Sequence, residues 1–310
     1  MKKNNGRTLE ELATEQTNPA SVDLDRKSAL QIVRIMNGED AKVAAAVKKA
    51  LPQIARAIDV IVDCLQNKGR LIYVGTGTSG RIAALDAAEC PPTFNTDPKT
   101  IQFIIAGGPK ALGAAVESNE DSAELGEREM AKRRPGKNDA VVGIAASGRT
   151  PFTIAAVRYA RRKGAKTVAV VCNRDSALEK TADTAIVIET GPEVISGSTR
   201  MKAGTAQKMV LNMLSSAALA RLGYVYGNLM INVRPGNTKL DARAVKILER
   251  AADIPKSRAK KILKICRGRV PEALVMLQSG VSAVQAEKAL KSAHGNVRQA
   301  ISDASRKSNC

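Results

Sequence analysis

Residues 70–94 read RLIYVGTGTSGRIAALDAAECPPTF, and this stretch sets the fold class. Leu71-Ile72-Tyr73-Val74 is an apolar run of strand length, and Gly75-Thr76-Gly77-Thr78-Ser79-Gly80 is a turn of small residues. From Arg81 the spacing is helical. Cys90-Pro91-Pro92 is expected to stop that helix, because proline removes a ladder N–H and disfavours helical geometry in the residue before it. Strand, glycine-rich turn and helix together make an anion site. The N–H groups of the turn and the helix N-terminus converge on one point and favour negative charge there. The stretch also carries a carboxylate, Glu89, in the expected break.

Working outward, four more apolar runs lie at 101–106, 140–145, 167–172 and 184–188, with helical segments between them. Near-continuous apolar strands separated by helices predict a five-stranded parallel sheet covered on both faces, a three-layer α/β fold. Before the sheet, two amphipathic helices are expected over 23–37 and 40–66, the first ended by Asn37-Gly38 and the second kinked at Pro52. Two helices are expected over 110–116 and 122–132, and another over 151–163 with Pro151 in its first turn. A long helix over 201–222 is apolar nearly all round, which predicts burial, in part in a subunit interface. Arg234-Pro235-Gly236-Asn237 marks a boundary. The expected organisation is an N-terminal arm over 1–20, an α/β domain with its N-terminal helices over 21–236, and a helical subdomain over 237–310. The last part of that subdomain, with its His294-Gly295-Asn296 turn, resembles a ubiquitin-associated-like bundle.

Composition excludes several chemistries. The five cysteines, Cys64, Cys90, Cys172, Cys266 and Cys310, form no C-x-x-C pair, which argues against a disulfide framework and a cysteine zinc site. His294 is the one histidine, and it lies far from any serine elbow. Acid–base work therefore falls to carboxylates, lysines or tyrosines. No apolar run reaches the roughly 18 residues of a membrane span, and the opening residues lack an apolar signal core, so the expected location is the cytoplasm. The formal charge is +19, but aromatics make up only 2% and no stacking platform is present. Nucleic acid is not the expected partner. The basic cluster from Lys256 to Arg269 reads as a solvated face that steers anionic substrates.

A second strand–turn–helix repeats the opening logic at Ser147-Gly148-Arg149-Thr150, ahead of Pro151. Two such loops at the carboxyl edge of one sheet predict a phosphate cradled from two sides. Thr78, Ser79, Gly80, Ser147, Gly148 and Thr150 are the candidate phosphate contacts. The opening loop lacks the Gly-Lys-Ser/Thr of a P-loop, and no acidic residue follows at ribose-binding distance, so a sugar phosphate fits better than a nucleotide. Two carboxylates accompany the loops. Glu89 is expected to project from a proline-walled corner. Glu120 follows Asn119, an expected N-cap, and is placed in the first turn of its own helix, whose dipole would keep it ionised.

The chain resembles the N-acetylmuramic acid 6-phosphate etherase family of the sugar isomerase (SIS) domain superfamily. The motifs are GTGTSGR (75–81), AAECPPT (87–93), IAGG (105–108), AVESNED (115–121), VGIAASGRTPF (142–152) and GSTRMKAGTAQKMVLNML (197–214), with Thr14-Glu15, Asn18 and Asn37-Gly38-Glu39-Asp40 ahead of them. The 197–214 motif is similar to the glucokinase regulatory protein branch as well; AAECPPT with AVESNED is the specific pair. Thr76, Ala88 and Ser118-Asn119 depart from the usual family residues, and none removes a carboxylate.

The resemblance implies a SIS fold, a homodimer with its site near the subunit interface, and no cofactor or metal. It implies cleavage of the lactyl ether of N-acetylmuramic acid 6-phosphate, with Glu89 and Glu120 as the catalytic pair. Desolvation at the proline corner would make Glu89 the acid, and a helix N-terminus would make Glu120 the base. Ser198 and Lys202 are further candidates for sugar contacts. The rival readings are an aldose–ketose isomerase of the same superfamily, a non-catalytic sugar-phosphate-binding regulatory protein, and a nucleic-acid-associated protein.

Overall fold

The structure, a computed structural model, describes residues 11–116, 119–232 and 238–308. Asn309 and Cys310 fall outside that range, as do Glu117 and Ser118 of the AVESNED motif and the Arg234–Asn237 boundary turn. The chain forms two compact units, Met1–Ala87 with Lys99–Ser215, and Ala88–Pro98 with Ser216–Cys310.

The first unit is built on five parallel strands, β1 (Leu71–Gly75), β2 (Ile101–Ile105), β3 (Ala140–Ala145), β4 (Lys166–Val171) and β5 (Thr184–Val187), in the order β2-β1-β3-β4-β5. All five apolar runs became strands. The helices are α1 (Ala29–Lys49), α2 (Leu51–Gln66), α3 (Gly77–Phe94), α4 (Ala123–Lys132), α5 (Pro151–Arg162), α6 (Ala177–Thr181) and α7 (Lys202–Arg221). The chain leaves β1 toward β2 and then returns past β1 to β3. Right-handed crossovers therefore put α3 on one face and α4, α5 and α6 on the other. Ile72, Val74, Val141 and Ala169 meet Met130, Phe152, Ala156 and Val157 in the core of the second face. The order reverses between β1 and β3, and this switch point is where a doubly wound sheet opens a crevice.

Four local expectations are corrected. First, α3 does not stop at Cys90; it runs through Pro91 and Pro92 to Phe94. Both prolines fall in the last turn, where their missing N–H groups withdraw the carbonyls of Ala87 and Ala88 from the ladder and nothing downstream depends on them. The helix closes at Asn95, which is left-handed (φ 55°) and donates its N–H to Pro91. Second, α1 passes straight through Asn37-Gly38. A capping box of Ser28 and Gln31 starts it, and the break comes at Ala50, ahead of Pro52 in the first turn of α2. Third, residues 108–112 form a 3-10 turn where a helix over 110–116 was expected. Fourth, the segment after residue 10 is no free arm, since Leu12, Thr14 and Asn18 are buried, and Thr14 accepts a hydrogen bond from Asn173 just beyond β4.

The helix α7 is buried along Val210, Leu211, Leu214, Ala218 and Leu219, but Thr205, Lys208, Asn212, Ser216 and Ala220 form an exposed stripe. In the second unit α8 (Thr238–Ala252), α9 (Lys256–Ile265), α10 (Val270–Ser279), α11 (Ala283–Ser292) and α12 (Val297–Ser308) surround a core of Leu248, Leu263, Leu274, Ala286 and Val297. His294 (φ 51°) and Gly295 (φ 86°) make the turn between α11 and α12, as expected.

Candidate active site

The carboxyl ends of β1 and β3 carry the first turns of α3 and α5. The helix α3 starts at Gly77, so Thr78, Ser79 and Gly80 are its first turn rather than a loop ahead of it. The packing there requires glycine. A Cβ on Gly75 would lie 3.0 Å from the Gly80 nitrogen and 3.1 Å from the Ile144 carbonyl oxygen, and one on Gly80 would lie 2.5 Å from Ile105 Cγ1. Without side chains at these two positions, the α3 N-terminus sits directly on the sheet edge. Its first N–H groups point at the crevice, the arrangement that binds anions.

Glu120 is not in a helix of its own. It lies in the loop before α4, and Ser122 is the N-cap of that helix. Its carboxylate belongs to the neighbouring element instead. Thr76 Oγ1 donates to Glu120 Oε2 at 3.0 Å, and Oε1 lies 3.2 Å from where a Gly77 Cβ would be. The backbone carbonyl of Glu120 accepts from Phe152 N at 3.1 Å, in the first turn of α5. One residue thus bridges both strand–turn–helix units. The positive end of α3 takes the part expected of α4. Arg81 braces the same loop, donating to the Ala114 carbonyl at 2.7 Å.

At the second turn Gly148 is left-handed (φ 67°), and a Cβ there would strike Ser176 Oγ at 2.3 Å. The Ser147 hydroxyl oxygen accepts from Arg149 N at 3.2 Å, which leaves its proton for another acceptor. Thr150 is the N-cap of α5 but makes no side-chain cap. Pro151 has no N–H and Phe152 N is taken by Glu120, and the Thr150 hydroxyl caps no amide of the helix.

Ser79 and α7 meet behind the first turn. Ser79 Oγ donates to Gln207 Oε1 at 2.9 Å, and a Cβ on Gly204 would lie 3.4 Å from Thr78 Cγ2. The α7 N-terminus itself is already occupied: Lys202 N and Ala203 N each donate to Glu193 at 2.9 Å. Burial pushes the Glu193 carboxyl up, and those two amide bonds pull against it. Lys202 is 2% exposed and its ammonium is 2.6 Å from Glu39 Oε2. The expected sugar-contact lysine is therefore committed to a buried ion pair. Burial alone would raise Glu39, but hydrogen bonds from Lys202, Lys42 and Asn18 win and hold it at about 2. Ser198 is half-buried in the loop ahead of α7.

Glu89 departs most from expectation. It lies on α3, in the residues grouped with the second unit, and it is exposed. The proline corner does not desolvate it. Leu85, one turn earlier on the same helix, is 52% exposed. Among the described residues no group of three or more His, Cys, Asp or Glu is placed to hold a metal ion, and no helix is long and apolar enough to cross a membrane.

Sequence reasoning missed Gln207, Glu193 and Glu39 as members of this shell. Gln207 is one of several polar positions in α7 and stood out only as a letter of the 197–214 motif. Glu39 was in view only within the Asn37-Gly38-Glu39-Asp40 motif, at an expected helix end.

The same regions are shared with known proteins. A glucokinase regulatory protein N-terminal SIS domain matches residues 53–161, and a SIS domain matches residues 121–217. The N-acetylmuramic acid 6-phosphate etherase of Streptomyces avermitilis is 48% identical over 298 residues, 96% of each chain. N-acetylmuramic acid 6-phosphate etherase 1 of Bacillus licheniformis is 45% identical over 95% of this chain and 97% of its own. The Rhodopirellula baltica etherase is 47% identical over 94% and 97%. Among solved structures, a phosphoheptose isomerase from Francisella tularensis superposes with a TM-score of 0.50 at 18% identity, covering 63% of this chain and all of that one.

Proposed function

This chain belongs to the N-acetylmuramic acid 6-phosphate etherase family, and from that premise we propose how its residues divide the work. It is a carbon–oxygen lyase that cleaves the D-lactyl ether of N-acetylmuramic acid 6-phosphate, giving N-acetylglucosamine 6-phosphate and D-lactate. The non-catalytic regulatory reading is not favoured, because relatives named as etherases match over nearly the whole length.

The 6-phosphate binds at the N-terminal turn of α3, facing Thr78, Ser79 and Gly80, with Ser147, Gly148 and Thr150 closing on it from the second turn. In the open-chain sugar the C1 aldehyde acidifies the C2 proton, and the lactyl ether at C3 lies β to that carbonyl. Glu120 takes the C2 proton, Glu89 protonates the departing ether oxygen, and D-lactate leaves. Water then adds at C3 of the unsaturated aldehyde: the Glu89 carboxylate takes a proton from the water, and Glu120 returns its proton to C2. The observation that carries this reading is the setting of Glu120. Its carboxylate accepts a hydrogen bond from the Thr76 hydroxyl beside the positive end of α3, a setting suited to a carboxylate base.

Glu89 needs the opposite environment. Its face of α3 is exposed and includes Leu85. The proposed homodimer lays a partner subunit on that face, burying Leu85 and removing water from Glu89. Ser198 is retained as a sugar contact, whereas Lys202 is assigned to hold the α7 N-terminus in place. The proposed setting is recycling of peptidoglycan fragments in the cytoplasm.

The test is incubation with N-acetylmuramic acid 6-phosphate and assay of D-lactate. Glu89→Gln and Glu120→Gln are each expected to slow release by roughly 10²–10⁴-fold. Near-normal release from either variant would remove that residue from its role.

A further inference from the structure

Gln207 is 1% exposed, and its side chain accepts from the Ser79 hydroxyl at 2.9 Å. With Oε1 accepting the serine proton, Nε2 is fully buried and has no acceptor among the described residues. Orphaned buried N–H groups are rare in folded proteins, and orphaned carbonyl oxygens somewhat less so. The 2.9 Å contact admits either amide orientation, and the one with Nε2 on Ser79 Oγ leaves only a carbonyl oxygen unpaired, the cheaper orphan. Ser79 sits in the first turn of α3, where N–H groups already favour an anion. In the present arrangement Ser79 spends its only proton on Gln207 and has none to give outward.

We propose that Gln207 is a positioning residue that sets the donor direction of Ser79. With a phosphate at the α3 N-terminus, Nε2 donates to Ser79 Oγ and the Ser79 proton goes to a phosphate oxygen. No bond between heavy atoms forms or breaks; the Ser79 proton gains a phosphate oxygen as its acceptor. This deepens the reading of the α3 turn as the phosphate cradle and rests on it.

The experiment is a double-mutant cycle between Gln207→Met and Ser79→Ala, with kcat and KM for N-acetylmuramic acid 6-phosphate read separately and folding checked by circular dichroism. Methionine keeps the length of the side chain and removes both donor and acceptor. Gln207→Met is expected to raise KM about three- to tenfold, the weight of one hydrogen bond, with kcat changed less than about twofold. In the Ser79→Ala background the same substitution is expected to add nothing. Gln207→Glu, which accepts but cannot donate when ionised, is expected to raise KM at least as far as Gln207→Met. If Gln207→Met leaves KM unchanged while Ser79→Ala raises it, the cradle stands and the role of Gln207 falls. Equal effects of Gln207→Met with and without the Ser79 hydroxyl also overturn it, by making the role one of packing alone. If Ser79→Ala leaves KM unchanged, Ser79 is not part of the cradle and the proposal falls with it.

Discussion

Thr76 donates its hydroxyl to Glu120 Oε2 at 3.0 Å, tying the turn after β1 to the loop that precedes α4. The bond joins residues 44 apart in sequence and fixes the carboxylate against the start of α3. A hydrogen bond to a charged group contributes about 1.5–3 kcal/mol, so Thr76→Val, which keeps the shape and drops the donor, is expected to lower kcat by roughly ten- to a hundredfold. Thr76→Ser keeps the donor and should stay near the parent. Steady-state kinetics on the two variants checks this. An unchanged kcat in Thr76→Val would detach the hydroxyl from the chemistry.

Buried Lys202 and Glu39 hold α7 to α1 through one ion pair, 2% and 4% exposed. Breaking such a pair from one side leaves an uncompensated buried charge, which costs roughly 3–5 kcal/mol. Lys202→Met alone should destabilise by that order, and Lys202→Met with Glu39→Gln should recover part of it. Chemical denaturation of the single and double variants measures the recovery. The pH dependence has a definite sign. The Glu39 carboxyl is held down from 4.5 to about 2, so its contribution is complete above pH 4.5 and is lost as pH falls toward 2. Glu39→Gln should flatten the acid limb of the stability curve over that window.

Asp86 behaves in the opposite way. Burial pushes its carboxyl up from 3.8 to about 6, against hydrogen bonds from Tyr73 at 2.9 Å and Ser215 at 3.1 Å. Between those two values the folded chain holds more protons than the unfolded one, so stability falls as pH rises through the interval. Asp86→Asn removes the charge and keeps one acceptor. It should be more stable than the parent above pH 6, by up to about 3 kcal/mol, since each pH unit between the folded and unfolded values corresponds to about 1.36 kcal/mol. The gain should vanish toward pH 3.8. Urea unfolding at the two ends of this range decides it, and equal stability at the upper end would show that the buried carboxylate carries no penalty.

The sheet was legible because its central strands β1, β3 and β4 are buried on both faces and so read as unbroken apolar runs, as in Val141-Val142 and Val168-Ala169-Val170-Val171. The two turns were legible because only small residues fit where Gly75, Gly80 and Gly148 meet their neighbours. What could not be read is long-range pairing. The partner of Lys202 lies 163 residues away, and that of Ser79 lies 128 away. Glu120 was identified, but the helix that serves it is α3, because an amide donor in space need not be near in sequence. Pro91-Pro92 misled for a local reason. A double proline stops a helix only where turns remain to be built, and α3 was already ending.

Leu85 and Glu89 share the exposed face of α3 at i and i+4, which lets the dimer proposal be tested through a residue with no chemistry of its own. Leu85 is 52% exposed, so replacing it with lysine removes no core packing and should leave the fold of a single chain intact. Surface substitutions of this kind usually change stability by less than about 0.5 kcal/mol. If a partner subunit covers this face, Leu85→Lys puts a charge into a desolvated interface and should drive the dimer toward monomer. Glu89 would then stay exposed to water, without the dry surroundings its proposed role requires. The expected outcome is a folded chain whose kcat falls as the dimer dissociates and recovers at higher protein concentration. Sedimentation analysis paired with D-lactate release over a dilution series measures both quantities. A monomeric Leu85→Lys variant with full activity would mean that Glu89 acquires its acidity within one chain, and the subunit interface would lose its part in the reaction.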